Sequence, residues 1–311
     1  MNAAGQAELD VALALLERAA ARAELKPVAP ATRKVEPIAF REAASRASRD
    51  VRGCLDRILM APDPDAGLDE LLEIGALRSV LPEIEAMVGF GDGEWRHKDV
   101  WKHTKQVIRQ AVPRLEVRWA ALLHDIGKIR TRTVTADGEV HFFGHAEVSA
   151  RMFDKLERRL RLFDGEDALR KQVRFLILHH LRANQYEPSW TDSAVRRFAR
   201  EMGAELENLI CLARADITTK RPEKKCRGLR QLDELAERIA QLAAIDAAVP
   251  PLPSGVGNAI METFGLSPSR LVGDIKRGLE AAVEAGEVPS HEPAEVYVAF
   301  VWEHRERFGL G

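Results

Sequence analysis

Leu122-Leu-His-Asp-Ile-Gly-Lys128 is the stretch around which the chain can be read. Apolar Leu122, Leu123 and Ile126 bracket His124 and Asp125, so two polar side chains are held in or beside a core. Burying such groups is costly unless hydrogen bonds or a metal satisfy them. Neutral imidazole and carboxylate are ligands that a borderline divalent cation such as Mn, Fe, Co, Ni or Zn accepts. The pair therefore predicts a metal centre.

The same residue types stand on either side of the pair. His103 lies in Val-Trp-Lys-His-Thr, on a predicted helix that packs against the one ending at His124-Asp125. Asp216 lies in Ala213-Arg-Ala-Asp-Ile-Thr, where small residues allow a partner helix to approach closely. His103, His124, Asp125 and Asp216 together make a four-ligand nitrogen and oxygen site drawn from three helices. His145, His179 and His180, sharing Asp125, are candidates for a second ion. Neighbouring side chains on a helix diverge by ~100°, so one of His179 and His180 is expected to turn away, and His180 is the weaker candidate. Two ions ~3.5–4 Å apart would clamp the attacking and leaving oxygens of a phosphate displacement and bring the pKa of water toward ~7. Such chemistry needs no Ser or Cys nucleophile. Asp125 and Lys128 are the expected catalytic residues, and Lys128, Arg130, Arg132, Arg182, Lys220 and Arg221 are candidates to orient phosphate oxygens. His97, His291 and His304 read as ordinary surface or satisfied histidines, whereas His141 either faces the site from a hairpin or decorates it.

The rest of the chain bounds the class. Its 311 residues suffice for a sizeable core and two or three helical subdomains. Cys54, Cys211 and Cys226 are odd in number and unpaired in spacing, which argues for a reducing compartment and against a thiolate zinc site. No apolar run approaches the ~18 residues of a membrane span. The first residues mix acids with alanines and read as neither signal nor transit peptide, so a cytoplasmic protein without a membrane partner is expected. Net charge is only −2, but basic residues cluster at 220–230, at Arg151, Lys155, Arg158, Arg159 and Arg161, and at Arg196, Arg197 and Arg200. Such patches attract an RNA backbone without reading its sequence. Trp95, Trp101 and Trp190 flank the ligand segments and are candidates to stack on a base or to fill the core.

Helical periodicity dominates. Helices are predicted over 5–24, 40–60, two short pieces within 66–88 broken at Gly75 and Pro82, then 145–162, 167–182, 193–203, 206–216, 229–246 and through the tail. Pro27, Pro30 and Pro37 mark one linker, Gly91-Asp92-Gly93 a loop, and 249–257 a second linker. The exception is Arg130 to Phe143, where alternating residues around Asp137-Gly138 predict a β-hairpin. The expected fold class is all-α with one small hairpin.

The order His103, His124-Asp125, Asp216, with Lys128 after the pair, resembles the HD-domain superfamily of metal-dependent phosphohydrolases. The resemblance implies that Asp125 bridges two ions and that His103, His124 and Asp216 hold the first. His145 and His179-His180 look like the additional histidines of binuclear members. Cys54–Met60, Gly67–Leu77, Val80–Ile84, Phe142–Glu147 and Asn258–Ser269 are further similar to the body of bacterial CCA-adding tRNA nucleotidyltransferases and their poly(A) polymerase relatives. These resemblances imply an HD-domain helical bundle flanked by helical N- and C-terminal subdomains. The expected division is an N-terminal helix and linker at 1–36, a neck-like part at 37–90, the HD domain at 91–248 and a helical tail at 249–311. That family's nucleotide-adding head carries a Gly-Gly or Gly-Ser phosphate loop and an Asp-x-Asp pair. Neither stands in the roughly 40 residues before the neck-like part, so nucleotide addition is expected to be absent.

The expected function is hydrolysis of nucleotide or RNA 3′-end phosphoesters, of the 2′,3′-cyclic phosphodiesterase, 2′-nucleotidase or phosphatase type, with one or two transition-metal ions. Two alternatives stand beside it: a non-catalytic tRNA- or RNA-binding remnant of a CCA-adding enzyme, and a hydrolase of free nucleotides such as a dNTP or guanosine tetraphosphate.

Overall fold

A computed structural model describes residues 3–28, 37–91, 99–248 and 250–311. Pro30, Asp92, Gly93, Trp95, His97 and Val249 lie outside the described residues. The elements run α1 (Ala3–Ala23), α2 (Pro37–Arg46), α3 (Ser48–Met60), α4 (Pro64–Glu73), α5 (Ala76–Val80), α6 (Pro82–Glu85), α7 (Val100–Gln110), α8 (Leu115–Leu123) and α9 (Lys128–Thr131). Then come β1 (Thr133–Val134), β2 (Val140–His141), α10 (His145–Leu160), α11 (Asp167–His179), α12 (Asp192–Met202), α13 (Leu206–Asp216) and α14 (Pro222–Ala248). The tail forms α15 (Val256–Phe264), α16 (Arg270–Ala285) and α17 (Ala294–Glu303). The fold is all-α with a single two-stranded sheet among the described residues. No described helix is long and apolar enough to cross a membrane.

Two compact units divide the chain: 1–185 with 205–229, and 186–204 with 230–311. The first is built around α8, whose Val117, Trp119, Ala120, Ala121, Leu122 and Leu123 are wholly buried. An all-round apolar helix of this kind belongs at the centre of a bundle, and α8 packs against α3, α7, α11 and α13. Local chemistry sets the helix starts around it. Asp63 caps α4 by accepting the Ala66 N–H, with Pro64 in the first turn, and Asp99 caps α7 by accepting the Lys102 N–H. The buried Trp119 indole donates to Asp56, while Arg118 spends its guanidinium on the carbonyls of Ala111, Val112 and Leu59.

Several elements differ from the sequence expectation. The predicted 40–60 helix is two helices, broken where Ala47 leaves the helical region (φ −126°, ψ 45°); neither Gly nor Pro marks the break. Residues 66–88 hold parts of three short helices, the left-handed Gly75 and Pro82 separating them. The hairpin is shorter than expected because 128–131 coil into a helical turn, leaving Thr133 opposite His141 and Val134 opposite Val140. Pro222 starts α14 several residues before the predicted start at 229.

The second unit has its own core of Leu252, Val256, Ile260, Ile275, Leu279, Tyr297, Val301 and Phe308. Arg196 forms a two-pronged ion pair with Asp246 on α14, and Arg238 pairs with Asp192.

Candidate metal centre

Helix ends deliver most of the ligand-type side chains. His124 caps the C-terminus of α8 with Asp125 beside it, His180 caps the C-terminus of α11, and Asp216 is the last residue of α13. His145 opens α10, and His103 projects from the first turn of α7. Helix C-termini carry partial negative charge, so three of them meeting at one point favour a cation there.

Two groups of ligand atoms share Asp125. In the first, His103 Nε2 lies 3.0 Å from Asp216 Oδ1 and 3.3 Å from Asp125 Oδ2, and His124 Nε2 lies 3.2 Å from Asp125 Oδ2 and 3.7 Å from Asp216 Oδ1. In the second, His145 Nε2 stands 3.4 Å from the other oxygen of Asp125, Oδ1, and 3.1 Å from His180 Nε2. Within each of the sets His103/His124/Asp125 and Asp125/His145/His180, one ligand atom per residue lies within 4.8 Å of the others. Asp125 thus turns one oxygen to each group.

Hydrogen bonds behind the rings decide which nitrogen faces inward. His124 Nδ1 sits 2.9 Å from the Ala121 carbonyl, His145 Nδ1 2.8 Å from that of Phe142, and His180 Nδ1 2.8 Å from that of Ile177. A carbonyl only accepts, so each Nδ1 carries a proton, and each ring when neutral points its Nε2 lone pair at the cluster. For His145 and His180 this sets two lone pairs against each other at 3.1 Å. A proton on one ring, a donor hydrogen directed at the pair or a cation beside it relieves that opposition. A proton is disfavoured: burial and the neighbouring His124 bring the His180 ring down to about 4, and burial lowers His145 as well. The donor set therefore fits a cation. The buried atoms His124 Nε2 and Asp125 Oδ1, neither of which has a hydrogen-bond partner, point the same way. Leaving each unsatisfied costs about 1–3 kcal/mol.

His103 differs. Its Nδ1 faces the Thr218 hydroxyl at 2.9 Å, which can donate or accept. Burial opposes charging His103 and His124, but the carboxylates of Asp125 and Asp216 outweigh it, raising His103 and bringing His124 to about 10. Burial would raise the carboxyls of Asp125 and Asp216. The imidazoles, together with Lys128 in the case of Asp125, instead hold both well below the carboxylate range.

Of the other sequence candidates, Lys128 reaches Asp125 Oδ2 at 2.7 Å. His179 does not join either group; it leans on Phe175 at 4.3 Å, while His180, the candidate given less weight, enters the cluster. The one-position difference on the helix turns one ring in and the other out. Arg130, Arg132, Lys220 and Arg221 are exposed, and Arg182 is half-buried. His141 stacks on Phe143. Trp101 is buried and Trp190 packs with Tyr186 and Phe198, so both serve the core. Arg159, Arg196 and Arg200 are engaged by Glu83, Asp246 and Glu284, whereas Lys220, Arg221, Lys224, Arg227 and Arg230 are exposed. Sequence reasoning missed Thr218, although its position two residues after Asp216 was a signal, and missed the buried Ser149, whose Oγ accepts the Gly127 N–H.

Comparison with known proteins agrees with this geometry. Residues 100–220 match the HD domain. The chain is 34% identical over 258 residues to an A-adding tRNA nucleotidyltransferase of Deinococcus radiodurans, covering 80% of this chain and 57% of that protein. It is 29% identical over 263 residues to a CC-adding tRNA nucleotidyltransferase of Thermus thermophilus, covering 83% of this chain and again 57% of the relative. A multifunctional CCA protein of Pseudomonas paraeruginosa is 33% identical over 140 residues, 43% of this chain and 33% of that protein. The chain spans little more than half the length of the first two. It carries an HD domain within a body homologous to that of the A-adding and CC-adding tRNA nucleotidyltransferases.

Proposed function

We propose that this protein is a metal-dependent phosphohydrolase acting on nucleotide or RNA-end phosphoesters. The observation that carries the reading is the opposed pair of lone pairs on His145 and His180, whose far nitrogens are committed to backbone carbonyls. His103, His124, Asp125 and Asp216 would hold one divalent transition-metal ion, and Asp125, His145 and His180 a second. Such an ion supplies Lewis acidity toward a phosphoryl oxygen and acidifies water near neutral pH. The chain's own residues do the rest. The carbonyls of Ala121, Phe142 and Ile177 lock three rings in the ligating tautomer, and Thr218 orients the fourth. Lys128, held at 2.7 Å from Asp125, places a positive charge at the rim where it would steady phosphate oxygens. Cys54 offers no nucleophile, since burial pushes its thiol up to about 12.

Purified protein supplied with Mn, Co or Ni should release phosphate from nucleotides or open a 2′,3′-cyclic phosphate. Asp125→Ala should lose metal and turnover together, while Lys128→Ala should keep its metal and turn over more slowly. No hydrolysis across 2′-, 3′-, 5′- and cyclic-phosphate nucleotides, with metal content verified, refutes the reading.

A second reading, a tRNA-binding body without turnover, draws on the printed names of the relatives and on the exposed cations between Lys220 and Arg230. Salt-sensitive tRNA binding that survives Asp125→Ala, with no hydrolysis by the parent protein, would favour it.

A further inference from the structure

Between the hairpin and α10, Phe142-Phe-Gly-His145 turns the chain sharply. Gly144 takes φ +69°, a left-handed conformation, and the two neighbours of that turn part company. His145 goes inward to the metal centre, while Phe143 is 75% exposed, the highest value among the exposed large apolar side chains described. Its ring lies parallel to that of His141, with centroids 4.9 Å apart and planes inclined by 11°. A lone exposed apolar side chain is ordinary; what sets Phe143 apart is the imidazole lying parallel behind it and its place two residues before His145.

Phe143 follows Phe142, whose carbonyl fixes His145, and the backbone from Phe143 to the ligand His145 spans at most about 7 Å. Arg132, exposed, immediately precedes Thr133, the cross-strand partner of His141, and the Lys128 ammonium lies 5.7 Å from the Phe142 ring. The hairpin presents only one other large exposed apolar side chain, Val134. That is too little apolar surface for a protein partner. A flat π-face backed by an imidazole, on a hairpin that also carries the exposed Arg132, fits an aromatic ring that carries phosphate.

We propose that Phe143, backed by His141, is a stacking platform for the base of the nucleotide whose phosphate enters the metal centre. This rests on the phosphohydrolase reading above and adds a base-binding subsite to it. Every nucleobase has a π-face, so the platform selects nucleotides over base-free phosphates without selecting a sequence.

The test is calorimetric titration of Mn-loaded protein with AMP, with ribose 5-phosphate, which differs only in lacking the base, and with an RNA trinucleotide bearing a 3′-phosphate. AMP should bind roughly 5- to 140-fold more tightly than ribose 5-phosphate, the factor corresponding to one base–aromatic stack. Phe143→Ala should abolish that preference with metal content and ribose 5-phosphate binding unchanged, and Phe143→Tyr should retain it. A trinucleotide weakened by the same factor in Phe143→Ala identifies an RNA end as a source of the base. Weakening of AMP alone identifies a free nucleotide. No preference in the parent protein, or a preference that survives Phe143→Ala, overturns the platform. A Phe143-dependent preference without hydrolysis of any phosphoester overturns the phosphohydrolase reading and leaves the platform standing.

Discussion

Gly127→Ala isolates the contact that seats the turn after His124-Asp125 against α10. Gly127 has φ −72° and ψ −19°, a conformation alanine adopts freely. Considered by backbone alone, the change should stabilise by about 0.4–1 kcal/mol, because alanine has less freedom to lose on folding. The surroundings reverse the sign. A Cβ there would stand 2.4 Å from the His145 carbonyl oxygen, 2.7 Å from Ser149 N and 2.8 Å from Ser149 Oγ. Two of these three atoms are backbone, so relief requires α10 to move, and overpacking of this kind costs about 1–3 kcal/mol. The shift also breaks the hydrogen bond from Gly127 N–H to Ser149 Oγ, worth about 0.5–1.5 kcal/mol. The net expectation is a loss of about 1–4 kcal/mol, which at about 2–4 °C per kcal/mol for a unit of this size is a drop of several degrees in Tm. Thermal unfolding of metal-stripped protein by circular dichroism measures it. Elemental analysis should in addition show poorer retention of the ion held through His145. Gly53→Ala is the control: nothing lies within 4 Å of its Cβ position inside α3, so it should melt slightly higher. A Gly127→Ala protein that melts at or above the parent temperature with undiminished metal would refute the packing argument.

Because His124 stands raised to about 10 by the two carboxylates, and His103 is also raised, a cation entering at neutral pH must displace protons from them. Metal affinity should therefore climb by about tenfold per pH unit for each proton displaced, and level off once pH passes the His124 value of about 10. Titration in buffers of different ionisation enthalpy counts the protons, and a pH-independent affinity would contradict the assignment. In the second unit, Tyr297→Phe removes a fully buried hydroxyl that accepts from Glu292 N–H and lies 3.0–3.1 Å from the Pro289 and Pro251 carbonyls. It should cost about 1–3 kcal/mol, read as a lower denaturant midpoint, and an unchanged midpoint would show that the bonds add nothing to stability.

The helical class and the small hairpin were legible because period and turn chemistry are local. Asp137-Gly138 announces its turn, and apolar Leu122, Leu123 and Ile126 announce a core around His124-Asp125. The convergence of His103, His124, Asp125, His145 and Asp216 was foreseen from residue type and order. His180 was given less weight than His179, yet it is His180 that enters the cluster, because a rotation of ~100° about one helix depends on tertiary packing. The break at Ala47 was invisible because it carries no local signal that competes with helix propensity, and Thr218, close to Asp216 in sequence, showed its contact with His103 only once the helices packed. Ion pairing was equally hidden. Arg196 and Arg200 look like an RNA patch in sequence, yet acids distant in the chain, Asp246 and Glu284, already claim them.

The sharing of Asp125 between two sets of imidazoles has a consequence for how the first unit is held together. The donors come from five separate helices or helix ends spread between His103 and Asp216, so an ion seated among them would act as a non-covalent cross-link spanning most of that unit. The unfolded chain cannot gather these donors, so binding energy adds directly to native stability, by about 4 kcal/mol at a free concentration a thousandfold above Kd. Were an ion to occupy each set, one carboxylate serving both would keep them from acting independently: whatever loosened one grip on Asp125 would be felt by the other.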